Sequence, residues 1–412
     1  MEHPPPAAID FDPLSPEQHR CPYPTYAAAR DRAPVFHADR FGFWVVTRYD
    51  DVLAVLKDVE TFSSNGALVS STDELPPEVS DVLAEGWPGM PIITDTDRPL
   101  HDRIRGLVTT AFTPRRVAEL EPRIRELAAE LIDGFAAEGE ADVVERFAWP
   151  LPLRVIGELL GLPREDLPAL HRFGTDWLSL QQAGHTVERQ VELARSVVAM
   201  QRYFMDACEE RRRSPGNDLI SALVVAADEL DDPLTAEAVM GLPFDLVVAG
   251  HVTVTRAIGS ALLLLLDDPE SAAALDDADR LPALVEELLR LESPAQGLFR
   301  TVTREIELGG ATIPAGAKVM VHFGSANRDE AIFEEAARLD LARQNLSKHV
   351  AFGKGIHFCI GAPLARLELR VALPLLFARL PGLHVASGAE PVREPIFFAR
   401  GLTQLRLAWS TS

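Results

Sequence analysis

Cysteine is scarce in this sequence of 412 residues, which contains only Cys21, Cys208 and Cys359. Three isolated cysteines cannot form a disulfide framework, and their spacing matches no zinc-site pattern. The sequence therefore implies neither a disulfide framework nor a zinc site. The expected compartment is a reducing cytoplasm.

Basic charge and long apolar runs are scarce as well. The formal net charge is −22, so general binding to nucleic acid or to an anionic membrane surface is not expected. The first residues lack the basic stretch and apolar core of a signal peptide. The long apolar run at 257–266 is too short to span a bilayer. We expect a monomer that binds neither membrane nor nucleic acid.

What the sequence does contain is apolar periodicity typical of amphipathic helices, which predicts a mainly α protein with small β-sheets. Predicted helices cover 51–58, 99–111, 115–137, 151–160, 189–213, 216–228, 235–267, 281–292 and 362–379, with Asp50 or Asp51 as the cap of the first and Thr235 as the cap of the long one. Alternating segments predict strands at 34–38, 42–48, 299–308, 317–323 and 402–409, with Gly309 and Gly310 turning the chain after the third.

No repeat or interdomain linker interrupts this pattern. We expect an extended N-terminal segment at 1–19 and one large domain at 20–412. The irregular stretch 64–97, rich in Ser, Pro and Gly, predicts a long surface loop that covers another part of the molecule.

The stretch AFGKGIHFCIGAPLAR, residues 351–366, places Cys359 among glycines. Glycines so closely spaced let the backbone approach a flat ligand or adopt positive φ. Pro363 suits the first turn of a helix, whose N-terminal N–H groups would stabilise a thiolate at Cys359. One thiolate in an apolar loop beside a planar cofactor indicates haem. The alternative is an inert buried cysteine in a glycine turn.

The pattern F-G-x-G-x-H-x-C-x-G resembles the haem-binding loop of the cytochrome P-450 family, and the resemblance runs from about residue 20 to the C-terminus. It implies a P-450-type fold in which haem b lies between a long central helix and the cysteine loop. It further implies that Cys359 is the axial iron ligand, that His357 contacts a haem propionate, and that Phe352 packs beside the sulfur. Gly361 completes this loop.

Glu287 and Arg290 stand three residues apart on a predicted helix and can pair there. Alone, such a pair is typical of a solvated surface bridge. The resemblance implies instead that it supports the core beneath the haem together with Arg343. The proline and phenylalanine that usually precede the segment of Arg343 are missing.

His101 and Arg105 lie four residues apart on one helix face, which is also compatible with a solvated surface. The resemblance implies that both bind haem propionates, together with Arg300 and His357.

The long central helix contains DLVVAGHVTVTRA, residues 245–257. Ala249 and Gly250 resemble the small-residue opening that admits dioxygen above the iron. Thr253 takes the position of the family's alcohol, whose hydroxyl relays protons during oxygen activation. A threonine here could also simply pack in the core and bond to a carbonyl one turn earlier.

Val252 is the main departure from the family, which usually has an acid immediately before the threonine. Valine cannot carry a proton, so we expect protons to arrive through His251, ordered water or a polar group of the substrate. The departure leaves desaturation or oxidative coupling open as alternatives to hydroxylation. Pro243 should kink this helix or remove one of its hydrogen bonds.

Basic residues recur near the cysteine loop, at Arg115, Arg116, Lys354, Arg366 and Arg370. They could be scattered solvated cations. Against a net charge of −22, however, a local basic cluster would steer an acidic electron carrier. The sequence contains neither a cysteine cluster nor a second domain, so we expect no fused flavin or iron–sulfur module. The resemblance therefore implies a separate ferredoxin with its NAD(P)H-dependent reductase.

The resemblance places substrate contacts in the loop 68–95, in 173–182, and at Phe244, Val248, Ala295, Leu298, Phe397 and Phe398. Each position could equally be ordinary core, but their apolar character predicts a small hydrophobic substrate. Arg400 or His251 could recognise a polar group on it.

The expected activity is therefore insertion of one oxygen atom from O2 by a haem-thiolate monooxygenase. Two other readings are a haem-thiolate enzyme that uses peroxide or rearranges its substrate, and a non-catalytic haem protein. Thr253 beside Ala249 and Gly250 favours the first activity over both.

Overall fold

The computed structural model describes residues 9–69, 75–181, 184–393, 396 and 398–411. Parts of the predicted N-terminal segment and covering loop, together with Gln182 and Phe397, lie outside these ranges.

Helices dominate the described residues. They are α1 (Pro16–Arg20), α2 (Tyr23–Arg32), α3 (Tyr49–Lys57), α4 (Pro77–Leu83), α5 (Leu100–Ala111), α6 (Pro114–Ala118), α7 (Glu121–Asp133), α8 (Pro150–Leu160), α9 (Leu167–Leu180), α10 (Val187–Arg213), α11 (Leu219–Asp228), α12 (Ala236–Asp267), α13 (Pro269–Ala272), α14 (Leu281–Leu291), α15 (Phe323–Ala326) and α16 (Ala362–Arg379).

The strands are short. They are β1 (Val35–Ala38), β2 (Phe43–Val46), β3 (Phe62–Ser63), β4 (Glu140–Asp142), β5 (Gly297–Val302), β6 (Ile306–Leu308), β7 (Ala311–Ile313), β8 (Lys318–His322), β9 (His384–Val385), β10 (Val392–Arg393), β11 (Leu402–Gln404) and β12 (Arg406–Ala408). The largest sheet has the order β1-β2-β8-β5-β3, in which β2 and β8 are parallel and the other pairs antiparallel. A second sheet has the order β4-β12-β9.

Helix α12 forms the centre of the molecule. It begins at Thr235, whose hydroxyl accepts the N–H of Ala238, as expected of an N-cap. It is long and apolar enough to cross a membrane, but most of its length is buried against α8, α10, α14 and α16. It continues through Pro243, where the missing N–H removes one hydrogen bond without ending the helix.

The strand prediction for 299–308 differs from the structure. The chain leaves the large sheet after β5, and Gly309 and Gly310, with φ of 56° and 84°, join β6 to β7 instead of leading back to β8. Similarly, the predicted strand 402–409 divides into β11, which pairs with β10, and β12, which pairs with β4 and β9. Alternation alone cannot show where a chain changes sheets.

Several described helices lie where none was predicted, namely α1, α2, α4, α9, α13 and α15. Helix α4 interrupts the predicted loop 64–97, and α9 lies between α8 and α10. At the N-terminus, the predicted extended segment is helical from Pro16, and Phe11 packs edge-on against Phe36 with ring centroids 5.6 Å apart. One hydrophobic cluster includes residues from Phe11 to Trp409.

Candidate active site

A cavity of about 260 Å³ lies between α12 and the loop that precedes α16. Cys359 lines one side of it, and Ala249, Gly250 and Thr253 line the α12 side. These groups were predicted separately from two distant segments of the sequence. The tertiary structure brings both segments to the lining of one cavity.

The cysteine loop is held in place by its backbone. Gly355 has φ of 76°, and a Cβ atom there would lie 2.7 Å from the carbonyl oxygen of Leu56, so glycine is needed both for conformation and for space. The N–H of Cys359 donates to the carbonyl of Phe352 at 2.9 Å. The sulfur is thereby fixed towards the cavity just before α16 begins.

The ionisation of Cys359 depends on opposing effects. Burial raises the pKa of the thiol above its usual value, whereas the N–H groups of Gly361 and Ala362 and the charges of Arg105 and Arg366 favour the thiolate. The predicted effect of the helix N-terminus is present, but burial outweighs it in the polypeptide alone. Coordination by a metal is what deprotonates such a thiol.

Four cationic or imidazole side chains gather at one end of the cavity. The Nε2 atom of His101 and the Nδ1 atom of His357 are buried without a hydrogen-bond partner among the described residues, and the two rings are 4.2 Å apart. Arg300 is 3% exposed, and its Nη1 donates to the carbonyl of Phe299. Arg105 donates to the carbonyl of Phe358 at 2.7 Å.

Burial also lowers the pKa values of Arg300 and His357. It lowers the pKa of Arg300 to about 10, although Asp97 and Asp95 oppose the shift. Burial and the charge of Arg300 lower the pKa of His357 to about 3, so this imidazole is neutral and its Nε2 meets the hydroxyl of Ser64 at 2.9 Å.

The site fits haem on these observations. Buried polar atoms without partners are rare. The carboxylates of a haem would supply partners for the ring nitrogens of His101 and His357 and would pair with the buried guanidinium of Arg300. Cys359 would supply the axial thiolate, and the mainly apolar wall would enclose the ring.

Comparisons with known proteins agree with this geometry. A family model described as Cytochrome P450 matches residues 180–381. Cytochrome P450 107B1 of Saccharopolyspora erythraea is 39% identical over 360 residues, which cover 85% of each chain. Mycinamicin IV hydroxylase/epoxidase of Micromonospora griseorubida is 39% identical over 374 residues, 89% of each chain. The solved structure of cytochrome P450 CYP109Q5 from Chondromyces apiculatus has a TM-score of 0.85 and 40% identity, and covers 98% of this chain and 99% of its own.

The chain belongs to the cytochrome P450 family. The family and the structural similarity confirm the predicted fold and the cofactor, which is haem b with a cysteine thiolate as axial ligand. The chain is a P450 monooxygenase, an oxidoreductase that incorporates oxygen.

On the α12 side of this P450, the hydroxyl of Thr253 donates to the carbonyl of Ala249 at 2.8 Å. Both residues line the cavity, as does Val252, which is 5% exposed. The side chain immediately before Thr253 is therefore apolar and cannot carry a proton.

His251 differs from the prediction that it delivers protons. It is fully buried and is absent from the described cavity lining; its Nδ1 donates to the carbonyl of Val247 at 2.7 Å. Its Nε2 meets His171 of α9 at 3.4 Å. Burial lowers the pKa of His251 to about 3. Its imidazole is therefore neutral near pH 7.

Arg400 also differs from the prediction that it recognises the substrate. Its guanidinium donates to Glu292 at 2.8 Å and to the carbonyls of His19 and Arg20. These contacts tie the C-terminal segment to the beginning of the described chain.

Most of the predicted substrate contacts line the cavity, namely Val248, Ala295, Leu298 and Phe398. Phe244 does not, because its ring packs edge-on against Trp177 at 5.6 Å and against Phe204 at 6.3 Å. Trp177 of α9 lines the cavity, and it lies within the segment 173–182 that was predicted to contact the substrate.

Two acidic residues that the sequence analysis missed also line the cavity. Asp245 stands four residues before Ala249, a spacing that places both on one helix face, and this spacing could have identified it. Glu368 of α16 is fully buried, and neither carboxyl oxygen has a partner among the described residues. Burial raises its pKa well above the usual value.

Glu287, Arg290 and Arg343 come together in the interior. Arg290 donates to both oxygens of Glu287, at 2.6 and 2.8 Å, and Arg343 donates to the same carboxylate at 3.0 Å. The first two are fully buried. Arg290 also donates to the carbonyls of Asn327 and Ala336, which fixes the chain that leads to the cysteine loop.

The five predicted basic surface residues fall into two kinds. The guanidinium of Arg366 donates to both carboxylate oxygens of Glu286, at 2.6 and 2.8 Å, and lies 4.4 Å from the ring centroid of Phe352. Its charge is therefore engaged by contacts within the protein. Lys354 lines the cavity and donates to the carbonyl of Ser347. The residues that are exposed at the surface are Arg115, Arg116 and Arg370.

Proposed function

We propose that this P450 is a cytoplasmic monooxygenase that inserts one oxygen atom from O2 into a small hydrophobic substrate, with electrons from a ferredoxin and its NAD(P)H-dependent reductase. The observation that carries this proposal is the shared cavity, because Cys359 and Thr253 line one mainly apolar space. A relative named for hydroxylation and epoxidation of mycinamicin IV supports a role in secondary metabolism.

Haem, when bound, supplies the iron that activates dioxygen, and the thiolate of Cys359 supplies the electron density that favours O–O cleavage. The chain contributes binding and orientation. Val248 and Leu298 present apolar surface to the substrate and exclude water.

We propose that Thr253 passes a proton into the cavity. Its hydroxyl donates to Ala249 in the structure and can exchange that bond for one to a water or to a bound ligand. Because Val252 cannot supply the proton and His251 is held elsewhere, we propose ordered water or the substrate itself as the source.

Desaturation or oxidative coupling remains the second candidate activity, and Val252 is the observation that favours it. Such reactions place different demands on proton delivery from those of hydroxylation. Analysis of products formed with ferredoxin, reductase and NAD(P)H distinguishes them, since a hydroxylated product contains one atom from labelled O2 and a desaturated product contains none.

The proposal is tested first by the spectrum of the reduced, carbon-monoxide-treated protein. We expect the red-shifted Soret band of a haem-thiolate bond, and its loss in Cys359→Ala. A wild-type protein without that band, or a Cys359→Ala variant that retains full oxygenation, would contradict the proposal. Product formation with peroxide alone but not with the electron-transfer proteins would replace it by a peroxide-driven activity.

A further inference from the structure

Asp245 is the acidic residue on the α12 wall of the cavity. It is 6% exposed and lines the same space as Val248 and Ala249 of its own helix. Glu368, the other acid described in the lining, belongs to α16, the helix that follows Cys359. Asp245 therefore stands on the side where Ala249, Gly250 and Thr253 lie.

The carboxyl group of Asp245 is oriented by backbone N–H groups of an adjacent segment of the lining. Its Oδ2 accepts the N–H of Ile93 at 3.2 Å, and the N–H of Thr94 also stabilises the charged form. Ile93 and Thr94 both line the cavity. The carboxyl is consequently held at the cavity surface before any ligand arrives, which reduces the cost of ordering it on binding.

No cation in the described part of the chain pairs with this carboxyl. The described ion pairs do not include Asp245, and the charge next to it is a second acid, Asp95. Asp95 is placed differently, because it accepts the N–H of Ala67 and lies close to Lys318 and Arg300. A buried acid without a cationic partner in an apolar wall is unusual, and the missing charge is one that a ligand can supply.

We infer that Asp245 binds a positively charged nitrogen of the substrate, so that the preferred substrates are hydrophobic amines. This inference deepens the proposed function and rests on it. An ammonium group that enters an apolar cavity loses its hydration, and a preoriented carboxylate offsets that loss. The apolar remainder of the molecule would then contact Val248 and Leu298 near the reacting position.

Ionisation is compatible with this role. Burial raises the pKa of Asp245 to about 7, and the charge of Asp95 contributes to the same shift. The carboxyl is therefore charged on the alkaline side of neutrality, and a bound cation favours its charged form further.

The test compares two ligands that differ in one atom. A phenylalkyl trimethylammonium ion and its neutral analogue, in which carbon replaces the nitrogen to give a tert-butyl group, have the same shape. The quaternary nitrogen has no lone pair and cannot bind iron, so calorimetric affinity reports the cavity alone. Binding is measured on the haem-loaded full-length protein at about pH 8, above the pKa of Asp245.

Asp245→Asn keeps an oxygen for the N–H of Ile93 while removing the charge. We expect it to weaken binding of the ammonium ligand at least about tenfold and to change the affinity of the neutral ligand by less than about threefold. Asp245→Ser is the second variant should the amide fail to fold. Asp95→Asn is the matched control, because it removes a neighbouring acid outside the described lining. The affinity for the ammonium ligand divided by that for the neutral ligand should stay at or above the wild-type value.

Equal weakening of both ligands in Asp245→Asn would overturn the inference in favour of a purely structural contact to the 93–94 loop. Unchanged binding of both, or no measurable binding of the ammonium ligand to the wild-type protein, would overturn it as well. The carbon-monoxide spectrum of the same preparations separates this failure from that of the proposed function. If the haem-thiolate band is intact but Asp245→Asn leaves the ratio of the two ligand affinities unchanged, only the proposed role of Asp245 is contradicted.

Discussion

Val252 is the residue at which this P450 departs most clearly from the sequence pattern of its family. It is 5% exposed and lines the cavity beside Thr253. An acid at this site would have apolar neighbours and would be desolvated. The neighbouring His251 is committed to Val247 and His171. The proton that we propose Thr253 passes must therefore come from a group other than residue 252 or His251, and ordered water or the substrate is the proposed source.

Val252→Glu tests this dependence. We expect coupling, the ratio of product formed to NAD(P)H consumed, to stay unchanged or to fall, because a desolvated glutamic acid stays neutral and disturbs the packing. Coupling and released peroxide are measured side by side for the wild type, Val252→Glu and the uncharged control Val252→Gln. A large gain in coupling that is specific to the glutamate would show that the family route is merely interrupted in this chain.

At the scale of elements, α14 anchors the segment that leads to the cysteine loop. The Glu287 carboxylate binds Arg290 of its own helix and Arg343 of the following segment, and all three side chains are at most 5% exposed. The pairing of Glu287 with Arg290 follows from i, i+3 spacing and was predictable. The approach of Arg343 was predicted only from family resemblance, because no local pattern relates residues 56 positions apart.

Glu287→Gln should lower the free energy of unfolding by about 3–5 kcal/mol, because it leaves two buried guanidinium groups facing a neutral amide. Urea unfolding followed by circular dichroism measures the change. The control Glu192→Gln removes the carboxylate of the exposed pair with Arg189 and should change stability by less than about 0.5 kcal/mol. A loss below about 1 kcal/mol in Glu287→Gln would show that this ion pair is not a structural support.

At the scale of the whole molecule, charge is unevenly distributed. The net charge is −22, yet the exposed side chains near the cysteine loop and α16 include Arg115 and Arg370, and Phe358 of the loop is itself 36% exposed. Exposed arginines on an acidic protein would attract the acidic electron carrier that we propose as its partner.

Reduction by ferredoxin should therefore slow as ionic strength rises, because salt screens the attraction. Stopped-flow measurement of the second-order rate constant tests this expectation. Arg370→Glu should reduce the rate constant at low salt by about tenfold, whereas Arg189→Glu, on the distant helix α10, should leave it nearly unchanged. A rate constant that does not depend on salt would rule out electrostatic steering at this surface.

The sequence alone determined the features that depend on local spacing. Helical periodicity, the cap at Thr235, the glycine positions around Cys359 and the pairing of Glu287 with Arg290 all involve residues within a few positions of one another, where backbone geometry fixes which side chains meet.

Only the tertiary structure decided which residues of α12 line the cavity. It also decided where the strands change from one sheet to another. Phe244 and His251 lie on α12 beside cavity residues, yet α9 and its neighbours cover them, while Asp245 is exposed to the cavity. Neighbouring positions on one helix differ by about 100° in direction. Packing of elements distant in sequence therefore determines which of them reaches the substrate.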